Sequence, residues 1–250
     1  MKLKGKVAVV TGGARDIGRA VSVKLASEGA KVVINYYDSE DEAKETLRKV
    51  EEAGSQGIIV YGDMSKAADV KNLFDKGIET FGNQVDVLVN VVGGIFGRKQ
   101  ITEQDEDWYN LLMDVNFKSC WLATREAVPY MKSGSAIVNF SSLAARDGGG
   151  PGASLYATSK GAVMTFTRSM AKELGPKGIR VNSVAPGTIA TLFHDKFNTP
   201  ENRERMKGVY PLRREGDADD VADLVAFLAS DDSDYLTGTN IDINGGMAFS

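Results

Sequence analysis

The sequence predicts an α/β fold, a doubly wound parallel sheet of seven strands with helices on both faces, and three observations carry that prediction. Short runs rich in Val and Ile recur along the 250 residues, at Val7 to Val10, Lys31 to Tyr36, Gly57 to Tyr61, Val85 to Val92, Ala136 to Phe140, Arg180 to Ala185 and Asn240 to Ile243. Their apolar character is continuous rather than alternating, which requires burial on both faces. Helical spacing fills the intervals, at Ile17 to Ser27, Glu42 to Glu52, Val70 to Phe81 and Val221 to Leu228. Alternation of that kind builds a parallel sheet through right-handed crossovers, so every strand's carboxyl end faces one edge. A ligand crevice is expected on that edge, beside the first strand, where strand order reverses.

A chain of 250 residues suits one large core, so residues 1–250 are read as a single domain. With 30 basic against 34 acidic residues, a net charge of -4, there is no long-range attraction to nucleic acid or to an anionic membrane. Cys120 is the only cysteine, which excludes an internal disulfide and a cysteine-rich metal site and points to a reducing compartment, the cytoplasm. The lone histidine, His194, has no companion ligands, so no metal is expected. The opening MKLKGKVAVVTGG is too short in its apolar part for a secretory leader, and no later run is long enough to cross a bilayer.

The first strand ends at Val10, and Thr11-Gly12-Gly13 turns the chain sharply before a helix that begins near Ile17 and Gly18. Gly12 and Gly18 let the backbone approach a pyrophosphate, and the helix start offers unpaired amides and partial positive charge to it. The second strand, Lys31 to Tyr36, follows at a suitable distance for an adenosine ribose. Asp16 places a carboxylate inside this loop and is expected to face solvent or to cap the helix.

Further along, SLYATSKGAVMTFTRSMAKEL, Ser154 to Leu174, carries an apolar stripe at Val163, Phe166, Met170 and Leu174. Tyr156 and Lys160 are four apart and so lie one turn apart on the same face. A nearby ammonium favours the phenolate, which would bring a tyrosine toward proton transfer near neutrality. IVNFSS, Ile137 to Ser142, ends a strand at the ligand edge, where Ser142 can donate a hydrogen bond to a carbonyl oxygen.

With the glycine loop, Asn116, Ser142, Tyr156 and Lys160 in this order, the chain resembles a short-chain dehydrogenase/reductase over essentially its whole length. The resemblance implies a Rossmann fold and NAD(P)-dependent exchange between a carbonyl and an alcohol. It implies that Tyr156 exchanges the proton and Ser142 orients the substrate oxygen. Lys160 would lower the tyrosine pKa and hold the nicotinamide ribose, and Asn116 would hold a water. The cofactor residues it implies are Gly12, Arg15, Asp16, Ile17, Gly18, Tyr36, Tyr37, Asp63, Met64, Asn90, Gly93, Pro186, Gly187, Thr188, Ile189 and Thr191, beside Tyr156 and Lys160. It also implies a homotetramer paired through helices at Asp114 to Lys132 and Ser154 to Leu174. Two departures stand out: Asp16 takes a place where the family usually has glycine, and Asn90-Val91-Val92-Gly93 replaces Asn-Asn-Ala-Gly. Arg15 favours a 2'-phosphate, whereas Asp16, Asp38 and the uncharged Tyr37 favour a 2'-hydroxyl, so the balance leans to NADH over NADPH.

Four less generic stretches, GGIFGRK (93–99), GGGPGASLY (148–156), TLFHDKF (191–197) and DINGG (242–246), are together similar to the reductases that convert 4-deoxy-5-hexoseulose uronate into 2-keto-3-deoxygluconate. On that likeness Arg98 and Lys99 are expected to meet a sugar carboxylate. Gly149, Phe193 and His194 are expected to line the substrate site, and residues 188–212 to close over it. Two other readings stay open: a 3-oxoacyl-carrier-protein reductase, with Lys132 and Lys177 greeting the acidic carrier, and a relative that binds nucleotide without turnover.

Overall fold

The computed structural model describes residues 1–191 and 200–249. Its sheet has the order β3-β2-β1-β4-β5-β6-β7, with every pairing parallel. The strands are β1 Val7–Thr11, β2 Lys31–Tyr36, β3 Gly57–Tyr61, β4 Val87–Asn90, β5 Ala136–Phe140, β6 Arg180–Pro186 and β7 Asn240–Ile243. Each coincides with an apolar run in the sequence. β4 is shorter than its run, because its pairing with β1 ends at Thr11↔Asn90 and Val91 and Val92 beyond it pack against the two cores.

The helices are α1 Asp16–Ser27, α2 Glu40–Glu52, α3 Ala67–Phe81, α4 Glu106–Met113, α5 Ser119–Ala127, α6 Ala144–Asp147, α7 Ser154–Leu174, α8 Pro200–Lys207 and α9 Ala218–Ala229. Alternate strand residues serve opposite cores. Val10, Ile34, Val89 and Val138 pack with Val21 and Leu25 of α1 and Val225 of α9. Val9, Val33, Leu88 and Ile137 pack with Leu73 and Phe74 of α3, Leu122 of α5 and Leu174 of α7. Both sheet faces are therefore dry, which is why the strand runs do not alternate with polar residues.

Local chemistry sets the helix starts. Ser39 accepts a hydrogen bond from the Glu42 amide ahead of α2, and Asp217 with Asp220 forms a capping box on α9. The helix expected at Asp114 to Lys132 belongs to a longer run. It begins at Glu106 behind the Asp105 cap and passes through one π turn at Asp114–Lys118 before α5. A π turn inserts a residue into the ladder and re-aims the side chains within it, and such turns concentrate at functional sites. The side chain re-aimed here is that of Asn116.

Candidate active site

The carboxyl ends of β1, β4, β5 and β6 converge on one crevice, and the β1–α1 turn forms its floor. Gly12 has φ +64°, and a Cβ at Gly18 would lie 2.0 Å from the Gly12 carbonyl oxygen, so only glycine lets α1 start this close to the turn. The Gly12 amide donates to Asn35 Oδ1 at 2.9 Å, and Asn35 Nδ2 donates to the Gly62 carbonyl at 3.0 Å. Thr46 Oγ1 donates to the Ala14 carbonyl at 2.6 Å and Ser22 Oγ to that of Gly13 at 3.2 Å. Asn35, Thr46 and Ser22 thus hold the loop from β2, α2 and α1, and sequence reasoning missed all three. The one available signal was a polar residue, Asn35, inside an otherwise apolar strand; it is only 1% exposed.

Asp16 neither caps α1 nor stands outside it. Arg15 is the N-cap and makes no side-chain cap bond, while Asp16 is the first helical residue, at φ +48°. That left-handed conformation explains the family's glycine, and Asp is among the few other residues that adopt it readily. Its carboxylate in the first turn is favoured by the helix dipole. Arg15 Nη2 pairs with Asp38 Oδ2 at 2.8 Å, and Arg15 Nε lies 4.0 Å from Asp16 Oδ2. Tyr37, 60% exposed, stacks on Tyr61 with ring centroids 6.1 Å apart; Tyr36 meets Tyr61 edge-on. Ile17 packs against the α1 core. Asp63 Oδ1 accepts the Ser65 amide at 2.9 Å. The Met64 side chain is buried in the core beneath α3.

The other wall is built from the end of β5 and the first turns of α7. Lys160, 4% exposed, donates from Nζ to the Phe140 carbonyl at 2.9 Å, and Ser141 Oγ donates to the Lys160 carbonyl at 2.9 Å. These two bonds fasten α7 to the end of β5. Ser142 Oγ accepts the Ala144 amide at 3.1 Å, which orients its hydroxyl at the start of α6. Burial disfavours the Lys160 ammonium and lowers its pKa to about 8, with Cys120 opposing weakly. Burial also raises the Tyr156 phenol above its ordinary value, with the Ser142 hydroxyl acting in the opposite sense. The sequence expectation of a lowered tyrosine is therefore not met in the chain alone, because desolvation outweighs the Ser142 hydrogen bond. Cys120 is buried, its thiol is pushed up to about 12 by burial, and it donates to Asn139 Oδ1 at 3.3 Å.

The Asn116 side chain staples the segment after β4 to the helical run. Its Nδ2 donates to the Gly94 carbonyl at 2.9 Å and to the Leu112 carbonyl at 3.0 Å, and its Oδ1 accepts the Gly94 amide at 2.9 Å. The staple brings Gly93 so close that a Cβ there would lie 2.6 Å from Lys160 Nζ and 2.7 Å from Asn116 Oδ1. Gly93→Ala is therefore expected to push Nζ off the Phe140 carbonyl and lower kcat/KM about a hundredfold, since a displacement of about 1 Å in a catalytic group has that effect. Steady-state kinetics beside far-UV circular dichroism would check it; a fully active, folded Gly93→Ala protein would contradict the packing.

A dinucleotide fits this crevice. Gly12, Gly18 and Gly93 are places where side chains are sterically excluded, and among the described residues Asn90 Oδ1 is buried without a hydrogen-bond partner. Asn90 Nδ2 is held by Asn139 Oδ1 at 2.9 Å. On the far side, Pro186 ends β6 and the Gly187 amide donates to Ile243 at 2.9 Å. Thr188 Oγ1 accepts the Tyr210 hydroxyl at 2.8 Å, Ile189 bridges to Gly216, and Thr191 Oγ1 donates to the Ile189 carbonyl at 3.2 Å.

The substrate expectations fare less well. Arg98 Nη1 donates to the carbonyls of Gly149 and Pro151, both at 2.9 Å. Lys99 Nζ sits 4.7 Å from the Trp108 ring centroid and 4.0 Å from Asp105 Oδ2. Both cations thus have partners within the chain, Arg98 through Nη1 alone and Lys99 at the edge of ion-pair distance. Gly149 wedges against α6, where a Cβ would lie 2.9 Å from that of Ala144. Phe193 and His194, with the middle of the expected lid, lie outside the described residues. Among the described residues no cluster of His, Cys, Asp or Glu is suited to a metal, and no helix is long and apolar enough to cross a membrane.

A glycine turn under a helix start, a Tyr and Lys one turn apart, and a Ser at a strand end define a nucleotide-dependent oxidoreductase site on a Rossmann-like sheet. Comparison with known proteins agrees. The family described as enoyl-(acyl carrier protein) reductase matches residues 12–248. The short chain dehydrogenase claC of Passalora fulva is 36% identical, across 99% of this chain and 96% of the relative. A short-chain dehydrogenase from Burkholderia cenocepacia, solved in complex with NADP, is 34% identical with a TM-score of 0.91, covering 99% of both chains. An NADH-dependent reductase, A1-R', responsible for alginate metabolism, is 34% identical with a TM-score of 0.90, again over 99% of both chains. The chain belongs to the short-chain dehydrogenase/reductase family and is an NAD(P)-dependent oxidoreductase.

Proposed function

We propose that the chain reduces the carbonyl of a small polar substrate with NADH in preference to NADPH, the best candidate being 4-deoxy-5-hexoseulose uronate, yielding 2-keto-3-deoxygluconate. The observation that carries the cofactor choice is the Arg15–Asp38 pair at 2.8 Å. A guanidinium already neutralised by a carboxylate is a poor ligand for a 2'-phosphate, while a free carboxylate oxygen suits a 2'-hydroxyl. Likeness to the NADH-dependent reductase of alginate metabolism supports both the cofactor and the uronate.

Bound in the crevice, the reduced nicotinamide supplies the hydride. The chain does the rest. Backbone amides at the start of α1 meet the pyrophosphate, Ser142 Oγ donates a hydrogen bond to the substrate oxygen, and Tyr156 gives that oxygen its proton. Lys160 meets the nicotinamide ribose and supplies positive charge one turn below the phenol. The protomer works as a single domain in a cytoplasmic homotetramer under this reading. Partly exposed apolar residues on the 106–127 helical run support that assembly, Tyr109 and Trp121 (40% exposed) among them.

An acyl-carrier substrate is the second reading, favoured by the description of the matching family. Against it, Lys132 and Lys177 precede β5 and β6, at the amino edge of the sheet, opposite the crevice. A carbonyl panel of the uronate, sugar aldehydes and an acetoacetyl thioester, assayed with both reduced nicotinamides, decides among these. The expected result is highest kcat/KM for the uronate with NADH, and an NADH advantage that narrows in Asp38→Ala. A higher kcat/KM with NADPH would overturn the cofactor choice, and preference for the thioester would overturn the uronate.

A further inference from the structure

We propose that Arg98 is a positioning residue: it clasps the Gly148–Gly152 loop to the segment after β4 and thereby fixes the first turn of α7, in which Tyr156 sits. Three observations carry this. First, α7 begins at Ser154 behind Ala153, which makes no side-chain cap bond, so nothing in the helix's own sequence sets where it starts. Second, the loop that leads into it has four glycines at positive φ, Gly148, Gly149, Gly150 and Gly152. Such a stretch gains the most conformational freedom when released, so its order must come from outside contacts. Third, among the described residues those contacts are few and come largely from one direction. Arg98 Nη1 donates to Gly149 and Pro151, and the Lys99 amide donates to the Gly152 carbonyl at 3.2 Å. Gln104 Nε2 bridges the Lys99 carbonyl and Ser154 Oγ at 2.8 and 3.0 Å. On the α6 side the Gly149 amide donates to Asp147 Oδ1 at 2.8 Å. The two segments cross tightly at Gly152, where a Cβ would lie 2.9 Å from that of Arg98.

The Ala153 amide donates to Gly150, and Ala157 donates back to Ala153, so displacement of the loop passes directly into the turn that carries the phenol. A guanidinium spanning two carbonyls acts here on the protein, not on a substrate. Its loss should therefore affect turnover of charged and uncharged carbonyls alike. The effect on turnover rests on the reductase reading above; the effect on loop order does not.

The test uses Arg98→Met, which keeps the apolar stem and removes the donors, and Arg98→Lys, which restores a cation. Hydrogen exchange followed by mass spectrometry is expected to show amides of residues 149–157 exchanging about tenfold faster in Arg98→Met, with sheet amides unchanged and Arg98→Lys intermediate. Turnover of glyceraldehyde, a neutral probe, and of glyoxylate, a carboxylate probe, is expected to fall equally, about tenfold in kcat with KM unchanged. Unchanged exchange in the 149–157 segment would overturn the proposal, as would a loss confined to glyoxylate. If the wild-type chain turns over neither probe, the reductase reading is the one in difficulty, and exchange alone still decides the clasp.

Discussion

Replacing Tyr156 with Phe is expected to lower kcat for carbonyl reduction about 10³-fold, within the range a positioned general acid contributes, while dinucleotide binding is retained. Phe fills the same half-buried space, so the fold should survive and only the proton is lost. Burial raises the Tyr156 phenol above its ordinary value, so it remains protonated across the neutral range. A phenol in that state is an acid, and an acid at the substrate oxygen is what reduction requires. Oxidation of the corresponding alcohol needs the phenolate and should accelerate with alkaline pH, whereas reduction should be flat until the phenol titrates. Pre-steady-state rates in both directions, with dinucleotide binding followed by fluorescence, would check this. A Tyr156→Phe protein as fast as wild type would revive the reading of a nucleotide-binding relative without turnover.

The sheet was legible because its strands are dry on both faces. Ile34, Val89 and Val138 face one core while Val33, Leu88 and Ile137 face the other, so every position in the run must be apolar and the run announces itself. Tyr156 and Lys160 were legible for a local reason: their juxtaposition follows from helix pitch alone. What the sequence hid depends on partners far away in the chain. Asn35 acts on Gly12 and Gly62, and Arg98 on loop carbonyls about fifty residues later. Neither distance nor direction of such contacts has a periodic signature. Charge alone suggested that Arg98 awaits an anion; topology also brings two loop carbonyls within its reach. The shift of Tyr156 was hidden for the same reason, since adjacency of an amine can be read from spacing but the desolvation that raises the phenol cannot. The π turn at Asn116 is likewise a compromise among packed helices, with no sequence mark of its own.

Lys160 should hold the native state below its attainable stability, and Lys160→Met should raise stability at neutral pH while lowering kcat about a hundredfold. Among the described residues no carboxylate pairs with this buried amine, and Nζ donates to the Phe140 carbonyl. Its pKa falls from 10.5 to about 8 because burial penalises the charge. The folded pKa is thus below the unfolded one, so between about 8 and 10.5 the unfolded chain binds a proton that the folded chain has released, and stability rises with pH. Below that window the cost is fully present; above it the cost is gone. The difference between the two pKa values corresponds to roughly 3 kcal/mol at most. Urea unfolding of both proteins at equal concentration, at pH 7 and at pH 10, isolates the contribution of this one group. The wild type should gain stability over the interval relative to Lys160→Met, and the curves should converge at the alkaline end. Parallel curves would mean that the amine is better solvated than its burial implies, and the account of why α7 keeps a costly cation beneath its tyrosine would have to be abandoned.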